Sequence, residues 1–292
     1  MTNKYEDFLT IAVCSNRIEK LIKYTLPLLA EVKSFCAVQI FLDGSIREDL
    51  NSFFKQINEI GNIEIVTSKE VSGHSNLRNL VLKSCKTKYL LFLDDDITIT
   101  ADAVKSIINE LGNNYEIVGL RLVPADNIGI NKWYISPNQY HYLAVHSEFT
   151  LNTVWGACMA FSIKPIKQQN LFFDNKLGRQ NNKFLGGEDT SFIAHLTQNG
   201  CKTKVIQSNF AIHHIDKSRV KFSSLIKRVF WQGITEAMRR NVKDAFSKEG
   251  KRNFSILTVR NFLLGCFWLL IFSIGSFYGN IYRVIHSKKN SI

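Results

Sequence analysis

Short apolar runs alternate along this chain with longer stretches in which apolar residues recur every three or four positions. Phe8–Cys14, Ala37–Leu42, Ile63–Val66 and Tyr89–Leu93 are such runs, and each reads as a buried strand. Between them, Ile18–Ala30 carries Ile18, Leu21, Ile22 and Leu29 on one side, although Pro27 should bend or cut that helix. Leu50–Ile60, Ser75–Ser84 and Ala101–Leu111 repeat the helical spacing. Strands and helices in alternation predict βαβ units and a mainly parallel sheet flanked by helices, an α/β fold. Ile117–Val123, Trp155–Phe161, Lys204–Ser208 and Phe210–Ile212 add strand-like runs, and Gly156 in the second of them permits a close backbone approach. From Pro124 to Asn152 the pattern weakens and Trp133, Tyr134, Tyr140, Tyr142 and Phe149 gather, either as ordinary packing or as a variable loop whose rings offer flat apolar faces for a ligand to stack on.

Two of the strands end in acids. Phe41-Leu42 runs into Asp43-Gly44-Ser45, and Phe92-Leu93 runs into Asp94-Asp95-Asp96. Parallel strands bring their carboxyl ends to one edge, where ligands bind in open α/β sheets. Three adjacent carboxylates repel one another unless a positive charge sits among them, and a hard divalent cation shared with a phosphate meets that need. Asp also favours ordinary turns, which is the plain alternative for Asp43. Arg78 and Asn79 lie on a helix whose start faces the same edge, and Arg suits a phosphate or carboxylate partner. Later, Gly186-Gly187-Glu188-Asp189 opens a helix that stops at Asn199-Gly200. Acids there serve as helix-dipole partners, or as a rigid, partly exposed general base. His213-His214 follows a strand, and one imidazole beside a cation cleft makes a ligand.

Charge changes the picture at the C-terminus. The chain has 292 residues and a formal net charge of +12. Residues 217–292 hold 15 Lys and Arg against three acids (Glu236, Asp244, Glu249), while residues 1–216 carry 22 of each sign. The chain therefore divides into a neutral α/β region over 1–216 and a basic helical region over 217–292. Ser223–Arg240 is a basic amphipathic helix, and Asn261–Tyr282 is an uncharged stretch bracketed by Arg260 and Arg283. Both suit an anionic membrane surface; the first suits equally well a helix packed on the rest of the protein with its basic face in water, and the second is long enough to span a bilayer, lie on it or pack in a core. The six cysteines show no metal or disulfide spacing and the N-terminus has no apolar leader, so we expect a reducing, cytoplasmic setting on the inner face of the membrane.

These motifs, taken in order, resemble the family 2 glycosyltransferases of the GT-A fold, over roughly residues 8–240. The resemblance rests on Val13-Cys14-Ser15-Asn16-Arg17, Phe41-Leu42-Asp43-Gly44-Ser45, Leu77-Arg78-Asn79, Leu93-Asp94-Asp95-Asp96 as the DxD signature, Gly187-Glu188-Asp189, and His213. It implies a GT-A (Rossmann-like) catalytic domain with a basic, partly hydrophobic C-terminal extension. It implies transfer, with inversion, of a sugar from a nucleotide-diphosphate sugar to a hydroxyl of a saccharide or lipid-linked acceptor, in surface polysaccharide or glycoconjugate synthesis. Ser15, Arg17, Asp43, Arg78 and Asp95 would bind the donor nucleotide. Asp94, Asp96 and His213 (or His214) would hold Mn²⁺ or Mg²⁺. Asp189 would be the base, with Glu188 in support.

Other classes fit less well. Metal-dependent nucleotidyl transfer also uses acids at strand ends, and its released pyrophosphate would distinguish it; no GxxxxGK[ST] loop occurs. Asp94–Ile99 lacks the loop glycine and distant Glu of a calcium-binding EF-hand. The basic tail has no nucleic-acid reader motif, so we expect no nucleic-acid partner.

Overall fold

The computed structural model describes residues 8–46, 50–68, 73–125, 128–129, 133–135, 137–148, 150–179, 184–253 and 259–289. The chain forms two compact units. The first comprises Met1–Ala125, Leu151–Lys176 and Glu188–His214, and the second Asp126–Thr150, Leu177–Gly187 and Ile215–Ile292.

The first unit is built on β1 (Leu9–Ser15), α1 (Ile18–Lys20), α2 (Leu26–Val32), β2 (Ala37–Leu42), α3 (Asn51–Ile60), β3 (Ile63–Thr67), α4 (Gly73–Ser84), β4 (Tyr89–Leu93), β5 (Ile97–Thr98), α5 (Ala101–Gly112), β6 (Ile117–Pro124), β7 (Cys158–Ser162), α6 (Ile163–Gln168), α7 (Glu188–Gln198) and β8 (Thr203–His213). The eight strands form one sheet in the order β3-β2-β1-β4-β7-β6-β8-β5. The expectation of a mainly parallel sheet holds for β3, β2, β1 and β4. Beyond them the sheet is mixed: β7 runs antiparallel to both β4 and β6, β6 pairs parallel with β8, and β5 pairs antiparallel with β8. Period-two alternation divides the core between the two faces. Leu9, Ile11 and Val13 of β1 enter one cluster with α2, α3 and α5, and Ala12 and Cys14 enter the other with α4 and α7.

Two local departures from the sequence reading have clear causes. The helix expected over residues 18–30 is interrupted by a π turn, Leu21–Thr25, in which the Leu26 N–H reaches back to the Leu21 carbonyl. The wider turn comes just before Pro27, which has no N–H to continue the ladder. The strand expected from Trp155 starts only at Cys158, whose N–H closes a turn onto the Trp155 carbonyl and leaves Gly156 in the loop.

The second unit contains α8 (Phe222–Met238), α9 (Val242–Asn253) and α10 (Val259–Lys289). Its core joins Ile135, Tyr142, Val220, Val229, Trp268 and Phe272. Of the aromatics between Pro124 and Asn152, Tyr142 is buried and Tyr134 donates to the Val220 carbonyl, so both serve packing. Trp133 is 78% exposed; Phe149 lies outside the described residues. The α8–α10 contact runs through glycine. A Cβ at Gly233 would strike the Phe272 carbonyl, and one at Gly275 would strike the Phe230 carbonyl. Ser276 donates to the Gly233 carbonyl at 3.2 Å across this seam. Close backbone approach of this kind is what small residues at a helix crossing permit.

Candidate active site

All the predicted site residues fall in the first unit, at the carboxyl ends of β1, β2, β4 and β8 or on the loops and helix starts above them. β1 delivers Ser15, and a turn closed by the Arg17 N–H on Ser15 Oγ at 2.9 Å sets Arg17 beside it. β4 delivers the three aspartates. Ser15 Oγ donates to Asp95 Oδ2 at 2.5 Å. The Arg17 guanidinium forks onto Asp95 and also reaches Asp96 Oδ2 at 3.0 Å. Lys20 Nζ lies 3.4 Å from the same oxygen. Lys20, in the first turn after the N-cap residue Arg17, was missed in the sequence, and its spacing of three from Arg17 is the signal that could have found it. Burial raises the Asp95 carboxyl, Asp96 adds to this, and Arg17 and Ser15 pull against it.

Arg78, only 3% exposed, connects this cluster to the later acids. Nη2 donates to the Gly156 carbonyl at 2.9 Å and to Asp94 Oδ1 at 3.3 Å, while Nη1 lies 3.4 Å from Glu188 Oε1. The guanidinium packs between the rings of Phe92 and Phe173. His74 Nε2, one turn earlier on α4, is 3.4 Å from Asp94 Oδ1. Burial works against the Asp94 anion, but the His74 hydrogen bond and the charges of His74, Arg78 and His213 outweigh it and hold the carboxyl well below the usual range.

Glu188 and Asp189 open α7. Asp189 Oδ2 accepts from the Gly156 N–H at 2.9 Å and Oδ1 from the Thr190 N–H at 2.7 Å. A Cβ on residue 156 would collide with Asp189 Oδ2, so the approach that Gly156 permits is that of Asp189. Gly156 thus holds Arg78 by its carbonyl and Asp189 by its N–H. Burial, and then the Asp189 charge, push the Glu188 carboxyl up, and Arg78 limits the rise. Burial also drives the neighbouring Cys14 thiol up to about 12, which leaves it inert as a nucleophile.

Asp43 is buried, with Oδ1 taking the Ser45 N–H at 2.8 Å and Oδ2 the Gly73 N–H at 3.0 Å. It forms the turn expected of it and also pins the start of α4. Asn79 faces away from the cluster, onto the Phe173 backbone.

The metal-ligand expectation divides. His213 Nε2 lies 3.6 Å from Asp96 Oδ1, whereas His214 stacks on Tyr24 and bonds Thr98 Oγ1 at 2.9 Å. Of the two histidines, His213 is the one that faces an aspartate. Asp94 is engaged by His74 and Arg78, Asp96 by Arg17 and Lys20 through its Oδ2, and among the described residues no three His, Cys, Asp or Glu groups converge. Asp96 and His213 still offer a carboxylate oxygen and an imidazole nitrogen to a divalent cation, whose shell water and substrate phosphate would complete.

A sheet that is parallel on one side and mixed on the other, with acids along its carboxyl edge, is the GT-A-like architecture of sugar transferases. The sequence model of glycosyl transferase family 2 matches residues 10–169, more than half of the chain. The chain belongs to glycosyl transferase family 2 and is a glycosyltransferase. No curated protein is similar enough in sequence to match it. Among solved structures it resembles the mannosyltransferase PcManGT from Pyrobaculum calidifontis, in complex with GDP-Man and Mn2+, with a TM-score of 0.62, 13% identity, and coverage of 94% of this chain and 75% of that one. It also resembles S. aureus TarS residues 1–349, with a TM-score of 0.54, 15% identity, and coverage of 91% and 80%, and the same protein in complex with UDP-GlcNAc, with a TM-score of 0.53 and 14% identity over 91% and 80%. At these identities the likeness is one of fold.

Proposed function

We propose that this enzyme moves a sugar from a nucleotide-diphosphate donor to a hydroxyl of a saccharide or lipid-linked acceptor, with inversion at the anomeric carbon, in glycoconjugate or surface polysaccharide synthesis. The observation that carries the reading is the Arg78–Gly156 junction, which ties the aspartate cluster and the Glu188–Asp189 pair to one guanidinium and one glycine. Its neighbours in fold were solved with UDP, UDP-GlcNAc and GDP-Man, which supports a nucleotide-sugar donor.

In this reading Ser15, Arg17, Asp43, Arg78 and Asp95 bind and orient the nucleotide. Asp96 and His213 hold a divalent cation, Mn²⁺ or Mg²⁺, with Asp94 the further carboxylate nearby; when bound, that ion offsets the charge of the departing diphosphate. Asp189 takes the proton from the acceptor hydroxyl as it attacks. Asp189 is partly exposed and fixed by two backbone N–H groups, which suits a base that must meet substrate in one orientation. Glu188, drawn to buried Arg78, positions the helix start. The enzyme works attached to the inner face of the membrane, in keeping with six cysteines that are all free and one apolar C-terminal helix.

The test is a panel of UDP- and GDP-sugars with and without Mn²⁺ or Mg²⁺, scored by nucleoside diphosphate release. Release of pyrophosphate, or full turnover in chelator with every donor, would overturn the donor chemistry or the metal role respectively.

A further inference from the structure

α10 has its polarity reversed. Up to Ile285, none of its exposed side chains among the described residues is charged or an amide. Leu263 (62% exposed), Leu270, Ile274, Phe277 (69%) and Ile281 follow one another at helical spacing and form one stripe. The small and polar residues Gly275, Ser276 and Gly279 are turned inward against α8. A helix facing water shows the opposite arrangement. An exposed apolar stripe this long marks a contact with another apolar phase.

Charge identifies that phase. Lys221, Lys227, Arg240, Lys243 and Lys248 are exposed on α8, on α9 and at their ends in the same unit. Beside the C-terminal half of the stripe, Arg240, Lys243, Asn280 and Arg283 line a recess of about 560 Å³. The acid on its wall, Asp244, is paired with Lys248 at 2.7 Å. Cations beside an apolar stripe complement an anionic phospholipid surface, whereas a second copy would bring the same positive charge.

The packing of α10 on α8 decides the orientation. The seam runs from Phe230 to Ala237 on α8 and from Phe272 to Arg283 on α10, and Arg283 Nη1 closes it on the Ala237 carbonyl at 3.0 Å. If α10 crossed the bilayer, α8 would enter beside it with Lys227, Arg228, Gln232 and the Glu236–Arg239 pair. Charges at that depth are strongly disfavoured. We infer that α10 does not span: it lies in the plane of an anionic membrane with the Leu263–Ile281 stripe in the acyl boundary, α8 on its outer side, and lipid phosphate in the Arg240–Lys243–Arg283 recess. This deepens the membrane-attachment reading given above and rests on it.

Two measurements on the full chain test the inference. The first is flotation with phosphatidylcholine vesicles, with and without phosphatidylglycerol. Binding should need the anionic lipid, fall about fivefold for each of Arg240→Gln and Lys243→Gln, and disappear in Leu270→Glu/Phe277→Glu, with circular dichroism confirming the fold. The second is depth. Five of the six cysteines are buried and Cys266 is exposed, so an environment-sensitive label can be moved along the stripe in Cys266→Ser carrying Leu263→Cys, Ile274→Cys or Ile285→Cys. An in-plane helix gives equal quenching at all three sites by shallow spin-labelled lipid. A spanning helix gives deep quenching at 274 and shallow quenching at the ends, which overturns the inference but keeps attachment. Failure to bind either vesicle overturns attachment itself, and binding that ignores lipid charge overturns the phosphate recess.

Discussion

Replacing Arg78 with Met removes a buried cation while keeping much of the apolar stem between Phe92 and Phe173. The guanidinium is 3% exposed and serves Asp94, Glu188 and the Gly156 carbonyl together. Breaking a buried ion pair from one side costs about 3–5 kcal/mol, because the remaining charge is left uncompensated. The orphaned carbonyl adds to this, though not additively, and the whole is a large part of a typical stability of about 5–15 kcal/mol. The effect should depend on pH. Asp94 is held below its ordinary value, so its contribution is complete at neutral pH and is lost as pH falls through the depressed value. Glu188 is held above its ordinary value, so its ionised form opposes folding increasingly as pH rises through the raised value, and Arg78 limits that. Losing Arg78 therefore harms both groups most when both are ionised. We predict an Arg78→Met deficit of about 3–5 kcal/mol in urea unfolding at neutral pH, shrinking as pH falls toward the ordinary carboxylate range near 4. Arg78→Lys keeps the charge but not the fork and should lose less. A deficit under about 0.5 kcal/mol at neutral pH, the range of an ordinary surface change, or one that grows on acidification, would refute the reasoning.

Asp189→Asn should keep donor affinity, read by thermal shift with nucleoside diphosphate, and lose about 10²–10⁴-fold in turnover; loss of donor binding would remove Asp189 from the role of base. Asp96→Ala and His213→Ala should each abolish the extra thermal stabilisation that Mn²⁺ gives in the presence of nucleoside diphosphate; if both variants keep it, the pair is not the cation site. Gly156→Ala should displace Asp189 and lower turnover with little change in donor affinity, while unchanged turnover would mean the Asp189–Gly156 contact is dispensable. Gly275→Val should separate α10 from α8 at the Phe230 carbonyl and destabilise the second unit by at least about 1–3 kcal/mol, seen in the emission of buried Trp268; an unaltered Trp268 signal in urea would argue against the close seam.

Much of the first unit was readable because its central strands β1 and β4 are buried on both faces and appear as almost wholly apolar runs, and because acids close β2 and β4 at one edge. Tyr89–Leu93 was bounded to the residue on this basis. What could not be read was which acid meets which cation. Arg78 and Glu188 are 110 residues apart, and nothing local in either segment names the other. Their meeting is set by α4 and α7 covering the same face of the sheet, a consequence of strand order that apolar periodicity does not encode. His74 was missed although it sits four residues before Arg78 on one helix face, because a lone histidine carries no signal until its carboxylate partner is placed. Gly156 was read as permitting a close approach, and the partner that approaches proved to be a carboxylate rather than a backbone. The same limit explains α10. Its composition shows that it is apolar, but only the glycine seam with α8 shows which face is already used, and the face left exposed is the one a membrane would have to cover.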